Sequence, residues 1–138
     1  MIKVLKKSPS GSLCPYYYMG GELHPLKYGS YFNNNEKLLA VIKAEEEFIL
    51  KSSGTNNRHI WIDLYDTVLE DDIIEVLVIH LQAIKHKIYS LCMVGCSPRD
   101  ERRIKKKMKQ HDMYLFQSVE YFSDPEIAKQ WLIGEIRL

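Results

Sequence analysis

Ile60-Trp61-Ile62-Asp63-Leu64 and Leu91-Cys92-Met93-Val94-Gly95 bracket a long amphipathic run, and their reading decides the fold. Short, nearly continuous apolar runs are how strands buried on both faces of a parallel sheet appear. Between them, from about Glu70 to His86, Ile73, Val76, Leu77, His80, Leu81 and Ile84 recur at helical spacing. Strand, crossover helix, strand is the unit of parallel α/β sheets, because parallel neighbours need a connection that returns to the same end. His80 falls on the apolar stripe and reads as a packed, hydrogen-bonded core residue.

Upstream, Asn33-Asn34-Asn35 offers N-caps for a helix from about Glu36 to Lys51, with Leu38, Leu39, Ile42, Phe48 and Ile49 on its apolar face and Gly54 as a stop. Ile2 to Lys6 alternates like a half-buried strand. Ser8 to Pro15 reads as a loop, and Tyr16-Tyr17-Tyr18-Met19 as a second strand halted by Gly20-Gly21. Downstream, Ser97 caps a third helix with Pro98 at its first position and Asp100 as an acidic capping-box variant. Met113-Tyr114-Leu115-Phe116 follows as a predicted strand. Ser123-Asp124-Pro125-Glu126 then opens a last helix that turns Ile127, Ala128, Trp131 and Leu132 inward and ends at Gly134. The predicted order is β-β-α-β-α-β-α-β-α over one domain, residues 1–138: an α/β fold with a single mixed, mostly parallel sheet flanked by about four helices. Right-handed crossovers place the last three strands side by side; the first strands join from the other side through an antiparallel pair.

A chain of 138 residues, 46% hydrophobic and 27% charged, has the composition of one globular domain with a real core. Nineteen basic against eighteen acidic residues leave net charge near zero, so whole-molecule electrostatics selects neither nucleic acid nor membrane. No apolar run approaches the ~20 residues of a spanning helix. The start, Met1-Ile2-Lys3-Val4-Leu5-Lys6-Lys7, lacks the apolar core of a signal peptide, so a cytoplasmic location is expected. Cys14, Cys92 and Cys96 are too few and too oddly placed for a disulfide framework. No zinc-type spacing joins them to His24, His59 or His111, so neither a metal nor a cofactor is expected.

The element order and several local residues resemble the STAS domain, the family of bacterial anti-sigma factor antagonists and of the cytoplasmic tails of sulphate transporters. Gly21-Glu22-Leu23 is similar to the step closing that family's second strand, and Trp61-Ile62-Asp63-Leu64 to the strand before its regulatory loop. Val94-Gly95 and the helix after it fit the next unit. Asp124-Pro125-Glu126-Ile127-Ala128-Lys129-Gln130-Trp131-Leu132 resembles the Ala-x-x-Trp-Leu close of a branch sometimes grouped with lipid-binding modules. The resemblance implies a non-enzymatic regulatory domain acting by protein–protein contact, its partner a signalling subunit or an anti-sigma-like kinase. The surface it implies is the loop Tyr65 to Asp72 and the start of the next helix, with Asp66, Thr67, Glu70, Asp71 and Asp72 as candidate partner-binding residues. The chain departs from the family where antagonists carry a phosphorylatable serine: Glu70-Asp71-Asp72-Ile73 stands there, with Thr67 the nearest hydroxyl. The acidic residues either suit a helix N-terminus or imitate a fixed phosphate.

Three other patterns invite chemistry. Asp63 with Asp66 looks like the paired aspartates of haloacid dehalogenase phosphatases, but the second carboxylate comes one residue late and would point the wrong way on an extended segment. Cys96 and Arg102 match the bare spacing of a cysteine-dependent phosphatase loop at a strand-to-helix junction, but Pro98, Asp100 and Glu101 oppose a phosphate cradle. The helix from Arg99 to Lys109 carries seven cations; it reads either as a solvated helix face or, with Arg99, Arg102, Arg103 and Lys106, as a candidate basic surface for a nucleic acid backbone, an anionic membrane surface or an acidic partner. No recognition motif accompanies it that would suit sequence-specific nucleic acid. The alternative to a regulatory domain is a carrier or sensor of a small apolar or lipid-like ligand, suggested by the lipid-binding branch and by Tyr16, Tyr17 and Tyr18.

Overall fold

Alternation along the central strands decides which layer each side chain joins. The structure, a computed structural model, describes residues 6–14, 16–18, 21–52, 54–55, 57–115 and 119–134. β1 (Lys6–Lys7) and β2 (Leu13–Cys14) form a small antiparallel hairpin. β3 (Tyr16–Tyr18), β4 (Gly21–Lys27), β5 (Arg58–Asp63), β6 (Ile88–Val94) and β7 (Glu120–Phe122) form a five-stranded sheet in that spatial order. β3 pairs antiparallel with β4, and every later pair is parallel. The intervening helices are α1 (Asn35–Leu50), α2 (Asp71–Ile84), α3 (Pro98–Gln110) and α4 (Pro125–Leu132). The sheet and its helices thus run β-β-α-β-α-β-α-β-α, an α/β fold with a mixed, mostly parallel sheet flanked by four helices.

Ile60, Ile62, Leu91 and Met93 point to the face covered by α1, α2 and α3, where Leu38, Ile42, Ile49, Ile73, Leu77, Leu81 and Ile104 meet them. Trp61, Cys92 and Val94 point to the other face and pack with Leu23 and with Ala128 and Leu132 of α4. Each fully buried Ile or Leu contributes roughly 1.5–3 kcal/mol of transfer free energy. Several polar groups inside this core are paired, although Trp61 Nε1 has no hydrogen-bond partner among the described residues. Tyr28 donates its hydroxyl to His80 Nε2 at 2.8 Å, and His80 Nδ1 lies 3.1 Å from Glu46 Oε1, so His80 is the hydrogen-bonded core residue its place on the stripe suggests. Buried Lys87 donates to the carbonyls of Ser52 and Gly54, at 2.6 and 2.8 Å, just beyond the carboxyl end of α1.

Glu45, in the middle of α1, is fully buried and ties the β1–β2 hairpin to the helix. Its Oε2 accepts from Ser8 Oγ at 3.0 Å, from the Ser10 amide at 3.2 Å and from Ser10 Oγ. Its Oε1 lies 3.8 Å from His24 Nε2, and Arg58 donates to His24 Nδ1 at 2.9 Å. Burial raises the Glu45 pKa, but the neighbouring His24 imidazole and the Ser10 and Ser8 hydroxyls outweigh it and hold the carboxyl below its ordinary value.

Three local expectations are corrected. Met113 to Leu115 is not a strand; the strand comes later, at Glu120–Phe122, while Phe116 lies outside the described residues. The apolar run there closes a helix instead. Asp112 adopts φ 50° after the end of α3, its amide bonds Lys109 O at 3.2 Å, and the Met113 amide bonds Met108 O at 2.8 Å. This is a Schellman ending, and the apolar contact it calls for comes from Met113 and Met108, both buried. Second, β3 ends before Gly20-Gly21 as expected, but a further strand follows: Gly21 begins β4, which contains Pro25. Pro25 sits past Leu23, the last residue of β4 that β3 pairs, so among the described residues the proline occupies a stretch of β4 with a strand on one side only. Third, the segment read as a loop over Ser8 to Pro15 contains β2; most of the strand read at Ile2 to Lys6 lies outside the described residues.

Candidate functional site

The carboxyl ends of β4 and β5 lead into two loops, 28–34 and 64–70, at the edge where parallel α/β sheets most often bind. Pairing does not stop with the strands. The amides of Tyr28, Ser30 and Phe32 donate to the carbonyls of Asp63, Tyr65 and Asp66 at 3.0, 2.6 and 2.7 Å, and the Val68 amide returns to Phe32 O at 2.7 Å. A side-chain hydroxyl completes the seam: Thr67 Oγ1 donates to Tyr28 O at 2.8 Å and accepts from the Tyr31 amide at 3.2 Å. Thr67 is therefore committed to holding the two loops together.

The seam forces unusual backbone. Ser30, Phe32 and Asp66 have φ of 66, 53 and 54°, the left-handed region that non-glycine residues rarely occupy. A bulky aromatic gains nothing locally from that conformation, and Phe32 holds it while 61% exposed. Val68 is 49% and Tyr65 36% exposed on the partner loop, so Phe32, Tyr65 and Val68 present apolar surface at this edge. Tyr65 is firmly placed: its amide donates to Asp63 Oδ1 at 2.9 Å and its hydroxyl donates to Ser123 O. Two glycines leave room for it. A Cβ at Gly95, which has φ 88°, would lie 2.6 Å from the Tyr65 amide nitrogen, and one at Gly29 would lie 2.7 Å from the Tyr65 carbonyl oxygen.

The acidic residues stand next to this apolar surface. Asp66, Glu70, Asp71 and Asp72 are all exposed. Glu70 is the N-cap residue of α2 without a capping side-chain bond, and Asp71 and Asp72 lie in the first turn, where the helix dipole favours carboxylates. Arg103 of α3 reaches this turn, donating to Asp71 Oδ1 at 2.6 Å, to Leu69 O at 2.6 Å and to Asp100 Oδ1 at 2.8 Å. Its guanidinium holds the Asp71 carboxyl below the ordinary aspartate value. One turn on, Glu75 meets Lys107 at 2.9 Å and His111 at 2.6 Å, and Lys107 first of all lowers its pKa.

The helix carrying the basic surface therefore packs beside the acidic turn and shares it. Arg103 faces inward onto that turn, whereas Arg99, Arg102 and Lys106 are exposed. Cys96 lies at the predicted strand-to-helix junction, but its surroundings are the reverse of what a thiolate nucleophile needs. Burial, with Asp100 and Glu101 nearby, pushes its thiol up to about 12. Ser97 caps α3 by accepting the Asp100 amide at 3.1 Å. Cys14, Cys92 and Cys96 are all unpaired. Among the described residues no group of three or more His, Cys, Asp or Glu side chains is arranged to hold a metal ion, and no helix is long and apolar enough to cross a membrane.

Sequence reasoning named the loop from Tyr65 to Asp72 but missed Phe32, which the seam sets against it. The signal was present in Tyr28-Gly29-Ser30-Tyr31-Phe32-Asn33, where aromatic residues are set among Gly, Ser and Asn. Those small residues mark a loop, and nothing in a loop requires an exposed aromatic for packing. Comparison of the chain with protein-family models, with curated proteins and with solved structures finds no match.

Proposed function

We propose that this protein is a non-enzymatic regulatory or binding domain of the STAS type, which docks another protein at the carboxyl edge of its sheet. The observation that carries this reading is Phe32: an exposed aromatic held at positive φ beside exposed Tyr65 and Val68, with Asp66, Glu70, Asp71 and Asp72 along one side. Strained, exposed apolar residues are retained where a partner uses them. The partner chemistry that fits is an apolar socket rimmed by lysine or arginine, as on a signalling subunit or an anti-sigma-like kinase. With no serine at the matching position and Thr67 bound into the seam, this surface works without a phosphorylation switch. The high thiol pKa of Cys96 speaks against the phosphatase alternative.

The test pairs two variants. Phe32→Gly relieves the backbone strain, so the protein should be as stable or more stable, by up to ~1 kcal/mol, while losing its partner. Asp72→Lys tests the acidic side. Wild-type protein purified gently from its own cells is compared with both by native mass spectrometry. A stoichiometric protein subunit that is present with the wild type and missing with both variants is the expected result. The same subunit retained by both variants would overturn the assignment of this surface.

A further inference from the structure

The cations of α3 divide into two sets. Arg103 and Lys107, one turn apart, face α2 and pair with Asp71 and Glu75, themselves one turn apart. Lys105 pairs with Glu101 at 3.0 Å and lies over the Tyr121 ring. Arg99, Arg102, Lys106 and Lys109 are exposed and have no ion pair among the described residues. Their spacing of three, four and three residues puts them within about 80° of one another and along roughly 15 Å of helix. Such a face carries four like charges; Asp71 offsets Arg99 at its amino end, and the crowding that remains along Arg102, Lys106 and Lys109 is more than a surface kept only for solubility requires.

We propose that this outward face of α3 docks an acidic helix of a partner protein, whose carboxylates stand at matching three- and four-residue intervals opposite Arg99, Arg102, Lys106 and Lys109. The inner face of the same helix supplies the precedent, since Arg103 and Lys107 already meet Asp71 and Glu75 at one-turn spacing. A bilayer fits less well, because the exposed positions of α3 are Pro98, Arg99, Arg102, Lys105, Lys106, Lys109 and Gln110, with no large apolar side chain to insert. A nucleic acid duplex extends well beyond the stripe and would lie against Glu70, Asp71 and Asp72 beside its amino end. A short acidic helix ends where the stripe ends. A second copy of this chain does not supply the match: the exposed acids of α1 are Glu36 and Glu47, far apart, and those of α2 are the consecutive Asp71 and Asp72. This surface adjoins the acidic side of the Phe32 edge at Asp71 but has none of its contact residues in common with it, so either can fail without the other.

The probe is a fluorescein-labelled, alanine-rich helical peptide with four glutamates spaced three, four and three residues apart. It is compared by anisotropy with a peptide of the same composition whose glutamates are spread around the helix. The ordered peptide should bind roughly tenfold more tightly than the scrambled one and lose its binding in salt well above about 0.15 M, where exposed charges are screened. Arg102→Glu with Lys106→Glu should abolish binding, and Phe32→Gly should leave it unchanged. Because charge reversal on one helix can perturb folding, Arg102→Gln with Lys106→Gln serves as a second pair, expected to weaken binding at an unchanged melting temperature. Equal binding of the two peptides would overturn the proposal. So would tighter binding to phosphatidylserine vesicles or to a DNA duplex than to the ordered peptide.

Discussion

Arg103 of α3 holds Asp71, the first residue of α2, at 2.6 Å and with a second nitrogen grips Leu69 O and Asp100 Oδ1. One side chain thus fixes where the loop from Tyr65 ends and the helix begins. Asp71 is almost wholly exposed, so the ion pair itself adds little to global stability. Its contribution is positional. Arg103→Ala should shift the melting temperature by only a few degrees, ~3 °C or less, yet speed amide exchange at the amino end of α2. Exchange there as slow as in the wild type would show that the clamp does not order the loop.

Thr67 gives the seam its side-chain component. Thr67→Val keeps the shape but strands the Tyr28 carbonyl and the Tyr31 amide, each partly shielded from water. A cost of ~1–3 kcal/mol is expected, with Thr67→Ser restoring most of it. Urea unfolding of the three proteins decides the matter, and a valine variant as stable as the serine variant would mean that the hydroxyl contributes nothing.

Acid should weaken the fold through its buried histidines. Burial depresses the pKa of His80, against the opposing pull of Glu46, and burial likewise depresses that of His59. Below pH 6.5, the ordinary histidine value, the unfolded chain takes up protons that the folded chain refuses. Stability is therefore present at neutral pH and falls as the pH drops through 6.5 toward the lower folded values. The slope is at most ~1.4 kcal/mol per pH unit for each histidine. Denaturant midpoints from pH 7.5 to 5 should decline for the wild type and decline less for His80→Gln. A flat profile across that range would contradict the assignment of a buried, neutral His80.

Glu45 anchors the β1–β2 hairpin from the interior of α1. Glu45→Ala leaves the hydroxyls of Ser8 and Ser10 without their acceptor and removes the carboxylate 3.8 Å from His24 Nε2. A loss of ~3–5 kcal/mol is expected, in the range for removing one partner of a buried charged cluster. The Ser12 amide, which donates to Ser8 Oγ, and the Gly11 amide, which donates to Ser8 O, should lose exchange protection first. If those amides stay protected while the core melts earlier, the carboxylate supports the helix and not the hairpin.

How far the sequence disclosed all this depends on the kind of signal each feature leaves. Buried central strands and the helix between them announce themselves because both faces, or one full stripe, must be apolar, and Ile60 to Leu64, Ile73 to Ile84 and Leu91 to Val94 were legible for that reason. The ends of elements were less so. Met113 was apolar to seal a helix end, which periodicity cannot distinguish from a strand. Pro25 disguised β4 because one-sided pairing is a tertiary fact. The candidate site was half visible: loop position named Asp66 to Asp72, while Phe32 became significant only when the seam set it beside Val68. The Arg103 clamp was hidden too, since a charge run gives no sign of which cations are already engaged.

The sheet lays its strands side by side from β3 to β7 in the order in which the chain supplies them. A nascent chain leaving the ribosome can therefore add each strand to the open edge of what has already formed. No finished pair has to part to admit a later segment, as it must in sheets where a late strand inserts between two early ones. Assembly can follow synthesis, with α4 arriving last to cover Trp61, Cys92 and Val94 on the second face.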